Sequence, residues 1–170
     1  MRTRSSGSWI IGLPIQEKPG VWVLFHNKGA GTAQGLNKTV TVLAGDLALL
    51  HDVNSLAMLT ALTCPVIIVV LNNNGGGIFS FLPIAQFPGV FEKYFAAPHH
   101  LRFEFAAQMF GLHYANPKTP DQLVGEYNMA FVRKKSTIIE VMTDRKENYQ
   151  LHQELQKTVQ QAIEKHANGS

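Results

Sequence analysis

Apolar residues fall along the chain in blocks of two kinds. Compact runs stand at VWVLFH (21–26), TVTVLAGD (39–46), PVIIVVLNN (65–73) and STIIEVMTD (136–144), and each predicts a strand. The third run is apolar without alternation, as expected of a strand buried on both faces of a parallel sheet. Elsewhere the spacing changes. In DVNSLAMLTAL (52–62) the apolar positions Val53, Leu56, Ala57, Leu59 and Leu62 recur at helical intervals. RFEFAAQMF (102–110) predicts a helix that stops at Gly111. Thr119-Pro120-Asp121 supplies an N-cap, a first-turn proline and an acid suited to the helix dipole, so a helix is expected from there to about Lys134. A last helix is expected from about Asn148 to His166. KGAGTAQG (28–35) reads as a glycine-rich turn, the stretch after residue 77 as irregular and aromatic-rich to about residue 100, and residues 1–20 as loosely structured. Strands alternating with helices predict an α/β fold, a doubly wound, mainly parallel sheet with helices on both faces. A loosely structured segment over 1–20 would precede one domain over 21–170.

Composition narrows the functional classes. With 45% hydrophobic and 16% charged residues, the chain can build a core. The net charge is +3, but basic residues do not cluster with interleaved aromatics, so nucleic acid is not an expected partner. Mild basicity suits anionic small molecules equally well. The single cysteine, Cys64, excludes an internal disulfide. No apolar run reaches the length of a membrane span, and the polar start MRTRSSGSW is not followed by the long apolar stretch of a signal peptide.

The strand ends carry the candidate chemistry. Ligands of open α/β sheets sit beyond the carboxyl ends of strands. One strand closes on Gly45-Asp46 and the next on Asn72-Asn73-Asn74-Gly75, with one helix between them, so both ends are expected at the same edge. A carboxylate, an asparagine amide and a carbonyl from a glycine turn are hard oxygen donors, which suit Mg²⁺ with phosphate oxygens completing its shell. Asn and Gly are poor strand residues, and consecutive glycines let backbone approach a ligand closely and present N–H groups to it. The segment therefore reads as a turn for a metal-bound diphosphate.

The wording is more specific. Gly45-Asp46, about 26 residues and then Asn73 resembles the fingerprint of thiamine-diphosphate enzymes. GDLALLHDVNSLAML, VVLNNNGGGIFSFLP and IIEVMTDRKENYQLH look very like the SEPHCHC synthases of menaquinone and phylloquinone biosynthesis, over about residues 39–155. That resemblance implies thiamine diphosphate and Mg²⁺ as cofactors, and a reaction that adds a succinyl-semialdehyde carbanion from 2-oxoglutarate to isochorismate. It implies that Asp46 and Asn73 ligate Mg²⁺ by side chain and Gly75 by its carbonyl. Gly45, Leu47, Asn73, Gly75 and Gly76 would surround the diphosphate, with Ile78 and Phe79 along the thiazolium. It also implies a cytoplasmic or plastid-stromal location. The partner would be a second copy or a pyrimidine-binding domain.

Two departures from the family follow. HNKGAG (26–31) resembles the family stretch Asn-Arg-Gly-Ala-Ser-Gly, with Lys28 at the substrate-carboxylate position where arginine is usual. Lysine holds a carboxylate as a point charge rather than through a planar fork. Only residues 27–38 separate the first two strands, so the helix usually found there is expected to be missing. Family members are several times longer and carry the activating glutamate on a separate pyrimidine-binding domain. This chain corresponds to the diphosphate-type domain alone, so no catalytic residue is assigned and no turnover is expected without a partner.

Plainer readings stand beside these. GAGTAQG (29–35) places its third glycine one position late for a dinucleotide fingerprint. His51 and Asp52 are adjacent and do not face each other on a helix. His99-His100 lacks a zinc ligand set and is expected on a surface loop. Cys64 reads as buried filler. Two rivals keep the fold and change the function: a non-catalytic remnant acting as a binding or assembly module, and a domain of an acetolactate-synthase-like carboligase.

Overall fold

The computed structural model describes residues 21–23 and 26–167. The expected loose segment over 1–20 lies outside the described residues. Five parallel strands form one sheet: β1 (Val21–Val23), β2 (Val40–Gly45), β3 (Val66–Asn72), β4 (His113–Ala115) and β5 (Thr137–Met142), in the order β1-β2-β3-β5-β4. The helices are α1 (His26–Leu36), α2 (Asp46–His51), the single turn α3 (Pro88–Val90), α4 (Glu104–Met109), α5 (Pro120–Arg133) and α6 (Arg145–Ala167). A 3₁₀ helix, Val53–Ala61, completes the β2–β3 crossover.

Strand order explains the two-sided packing. The chain steps in one direction from β1 through β2 and β3 to β4, then steps back to place β5 between β3 and β4. Right-handed crossovers put the first helices on one face and the helix of the reversed step on the other. Ala30 and Ala33 of α1, Leu56 and Leu59 of the 3₁₀ helix and Ala107 of α4 accordingly pack with Val66, Ile68 and Val70 on one face. Leu123 and Ala130 of α5 pack with Ile67, Val69, Ile139 and Val141 on the opposite face. Successive residues of β3 thus alternate between two dry cores, which is why the strand reads as an unbroken apolar run.

Four expectations need correction. KGAGTAQG is not a turn: it lies within α1, and the crossover helix thought missing is present. The small residues make it possible. A Cβ on Gly29 would stand 2.4 Å from Cγ2 of Val42, so glycine lets this helix lie close against β2. The first strand is shorter than 21–26, because His26 already belongs to α1. The edge strand β4 was not expected at all; its three residues are too few to show a period. Residues 46–51 form α2, so the helical spacing read from 52–62 belongs to a second, 3₁₀ segment.

The termini of the later helices follow the expected chemistry. The Thr119 hydroxyl accepts the Gln122 N–H at 3.2 Å and caps α5. At α6, Asp144 Oδ1 accepts the N–H groups of Lys146 at 2.8 Å and Glu147 at 2.9 Å, and the helix begins at Arg145, three residues before the expected Asn148. No helix among the described residues is long and apolar enough to cross a membrane.

Candidate functional site

The ends of β2 and β3 lie side by side, with Gly45 paired to Leu71 in register. Asp46 follows immediately, opens α2 and is buried. Three donors converge on its carboxylate. Oδ1 accepts the Leu47 N–H at 2.8 Å. Oδ2 accepts the Gly75 N–H at 2.8 Å and lies 3.1 Å from His99 Nε2. The Leu101 N–H donates to His99 Nδ1 at 2.9 Å, which leaves the ring proton on Nε2, pointing at Asp46.

Beyond β3 the three asparagines play different parts. Asn72 is buried, and its Oδ1 accepts the Asn74 N–H at 3.0 Å, closing a short side-chain turn. Asn74 adopts a left-handed φ of 63° and its Oδ1 accepts the His100 N–H at 2.7 Å. Asn73, between them, has a buried Oδ1 without a hydrogen-bond partner. The Gly75 carbonyl accepts the Gly77 N–H at 2.9 Å and keeps its second lone pair.

The glycines approach the chain's own backbone. The Gly76 N–H donates to the Ala96 carbonyl at 2.7 Å, and a Cβ on Gly75 would stand 2.1 Å from that same oxygen. A Cβ on Gly76 would meet the Phe95 carbonyl at 2.3 Å. The stretch Phe91–Ala96 forms a π-helical turn, which is held from outside. One Arg145 nitrogen donates to both Glu92 oxygens, at 2.7 and 2.8 Å, and its guanidinium lies over the Phe91 ring. Phe79 packs edge-on against Phe95, and Ile78 is 74% exposed. Lys28 is exposed in the first turn of α1, which leaves the same edge of the sheet.

Under this edge lies Glu140 of β5, fully buried. Its carboxylate accepts from Asn72 Nδ2 at 2.6 Å, the Tyr114 hydroxyl at 2.5 Å, the Phe103 N–H at 3.2 Å and Arg102 Nε at 3.5 Å. Burial and then the hydrogen bond to Glu140 push the Tyr114 pKa up to about 12, so the phenol keeps its proton and stays a donor.

The structure thus brings Asp46, Asn73 and Gly75 to one place. The donors fit a hard cation: a carboxylate, an orphaned amide oxygen and a carbonyl. No group of three or more His, Cys, Asp and Glu that could hold a metal lies among the described residues. Three residues to which the sequence reading gave no site role lie here: Asn72, Glu140 and His99. His99 was expected on a surface loop, yet its side chain is only 8% exposed and packs on Asp46. Glu140 announces itself as the one acid inside the run TIIEVM. Cys64 is half-buried, packs against the core on the α1 face and also donates to Asn37 Oδ1 at 3.2 Å.

Residues 21–141 match the family described as "Thiamine pyrophosphate enzyme, C-terminal TPP binding domain". The 2-succinyl-5-enolpyruvyl-6-hydroxy-3-cyclohexene-1-carboxylate (SEPHCHC) synthase of Rubrobacter xylanophilus is 56% identical over 126 residues, 74% of this chain and 22% of that protein. The synthase of the same name from Chlorobium chlorochromatii is 51% identical over 140 residues, 82% of this chain and 24% of that protein. The chain matches under a quarter of the length of these two relatives. Benzoylformate decarboxylase from Polynucleobacter necessarius superposes with a TM-score of 0.59 at 24% identity, over 69% of this chain and 23% of that one, a likeness of fold alone.

Proposed function

The chain belongs to the family of C-terminal TPP-binding domains of thiamine pyrophosphate enzymes, and from that premise we propose that residues 21–170 are the diphosphate-type domain of a SEPHCHC-synthase-like carboligase. The observation that carries this reading is Asn73 Oδ1, buried and unpaired, two residues before the Gly75 whose N–H Asp46 accepts. A buried polar atom without a partner costs about 1–3 kcal/mol, and a coordinated cation would remove that cost. Asp46 and Asn73 would hold Mg²⁺ by side chain and Gly75 by its carbonyl. Gly45, Leu47 and Gly76, together with Asn73 and Gly75, would surround the diphosphate, and Ile78 and Phe79 would lie along the thiazolium. Bound thiamine diphosphate supplies the carbon nucleophile and the electron sink; this chain's residues would hold its charged end and exclude water. The Gly76 N–H must first leave the Ala96 carbonyl to reach a phosphate oxygen. Lys28 would offer a point charge to a substrate carboxylate.

The activating glutamate of such enzymes comes from a pyrimidine-binding domain, so turnover of 2-oxoglutarate and isochorismate would require that partner. The test is a calorimetric titration with thiamine diphosphate and Mg²⁺, wild type against Asp46→Ala. Magnesium-dependent binding that the variant lacks supports the reading. Wild-type silence at millimolar cofactor defeats it. Consumption of 2-oxoglutarate after addition of a pyrimidine-binding domain then tests the catalytic half.

A further inference from the structure

Glu140 is hard to account for as a fold element. A fully buried carboxylate carries a desolvation penalty of several kcal/mol, and an apolar residue of similar volume usually serves a core as well or better. The residue pairs in register with Val70, so its side chain shares a face with Val70 and with Asn72 two positions on. There it accepts from two separate pieces of chain that both end on Asp46.

The first piece is the asparagine turn. Glu140 Oε1 accepts Asn72 Nδ2 at 2.6 Å, which orients the amide so that Asn72 Oδ1 faces the Asn74 N–H. That closes the turn, leaves Asn73 Oδ1 unpaired and delivers the Gly75 N–H to Asp46. The second piece is the segment before α4. Glu140 Oε2 accepts the Phe103 N–H and Arg102 Nε, which fixes the stretch whose His99 rests on Asp46 Oδ2.

We propose that Glu140 is a positioning residue of the metal–diphosphate site: it touches no candidate ligand, but through Asn72 it sets where Asn73 Oδ1 and the Gly75 backbone stand relative to Asp46. This rests on the site reading given above. Partners that orient metal ligands from behind typically contribute about 10–100-fold in metal affinity.

Three variants separate positioning from stability. Glu140→Gln keeps the shape and removes the charge and half of the acceptor capacity. Asn72→Ala cuts the link to the turn and leaves Glu140 its other donors. Tyr114→Phe removes one donor from Oε2 and leaves Asn72 in place. Each is titrated with Mg²⁺ at saturating thiamine diphosphate, and amide hydrogen exchange is followed without cofactor. The half-saturating Mg²⁺ concentration is expected to rise by about tenfold or more in Glu140→Gln and Asn72→Ala. Exchange at residues 74–76 should quicken in both, with residues 66–70 still protected. Tyr114→Phe should melt earlier and bind Mg²⁺ as the wild type does. Should Glu140→Gln fail to fold, Asn72→Ala alone carries the same expectation. The proposal is overturned if Asn72→Ala leaves both Mg²⁺ half-saturation and exchange at 74–76 unchanged, or if Tyr114→Phe weakens Mg²⁺ as much as Glu140→Gln. Absence of magnesium-dependent binding in the wild type is a different outcome: it defeats the site reading itself, and the positioning role falls with it.

Discussion

Gly75→Ala discriminates between two uses of the glycine run. If these glycines serve only a bound diphosphate, the chain without cofactor should tolerate a methyl group there. The structure says otherwise. Gly75 has a φ of +130°, and an added Cβ would stand 2.1 Å from the Ala96 carbonyl oxygen and 3.2 Å from that of Ala97. Both are backbone atoms, so no side-chain rotation relieves the clash. The backbone conformation alone costs an L-residue about 1–3 kcal/mol. Displacing Ala96 also forfeits the 2.7 Å bond from the Gly76 N–H, worth about 1 kcal/mol. The combined loss is about 2–4 kcal/mol, capped by what it costs to lift residues 91–97 locally. For a chain of this size that lowers the melting temperature by on the order of 10 °C. Urea and thermal unfolding without cofactor measure it, with amide exchange at 91–97 as the local readout. Gly125→Ala is the control of opposite sign: nothing stands within 4 Å of its added Cβ, it lies within α5, and it should gain about 0.5–1 kcal/mol. A Gly75→Ala chain that melts with the wild type and keeps 91–97 protected would refute the close approach.

Other consequences are simpler to check. Gly29→Ala should cost about 1–3 kcal/mol in urea unfolding, because its Cβ would stand 2.4 Å from Val42 Cγ2 and push α1 off β2; a neutral result would mean the helix does not lie there. Thr119→Ala should cost about 1 kcal/mol by removing the cap on the Gln122 N–H. Burial, and then the neighbouring Arg133, hold His113 below its ordinary 6.5, against an opposing pull from Glu126 and with a small further push from Lys135. Neutral His113 therefore contributes stability that is full above pH 6.5 and is lost as pH falls through the lowered folded value. Unfolding midpoints measured from pH 8 to 5 should drop more steeply for the wild type than for His113→Asn, and parallel curves would count against the depressed value.

What the sequence revealed depended on how local the cause was. β3 was legible because burial on two faces demands an unbroken apolar run, β2 and β5 because their apolar residues are compactly grouped, and α5 because its cap is written in three adjacent residues. Asp46, Asn73 and Gly75 could be nominated because strand ends in such sheets collect ligands. α1 was misread because its cause is tertiary. Glycine and alanine at positions 29, 30 and 33 are modest evidence for a helix in isolation, but they let one pack tightly against β2. β4 is an edge strand of three residues, held by its register with Thr137–Ile139, and pairing of that kind leaves no periodic trace. His99 reaches Asp46 across 53 positions of sequence, a separation that no spacing rule covers.

The glycine run shows the limit most clearly. Consecutive glycines after a strand declare that backbone must come close to something, and the declaration is the same whether that something is a phosphate or another stretch of chain. Here the Gly76 N–H is already given to Ala96, and Asp46 already accepts from His99. Asn73 Oδ1 is the one buried side-chain nitrogen or oxygen without a hydrogen-bond partner among the described residues. Hydrogen bonds within the chain already engage the Gly75 and Gly76 N–H groups and the Asp46 carboxylate. They leave one oxygen that only an added donor or a cation can satisfy. An oxygen in want of a donor or a cation is what the proposed Mg²⁺ site calls for, so Mg²⁺ dependence is a sharper test of that proposal than diphosphate affinity alone.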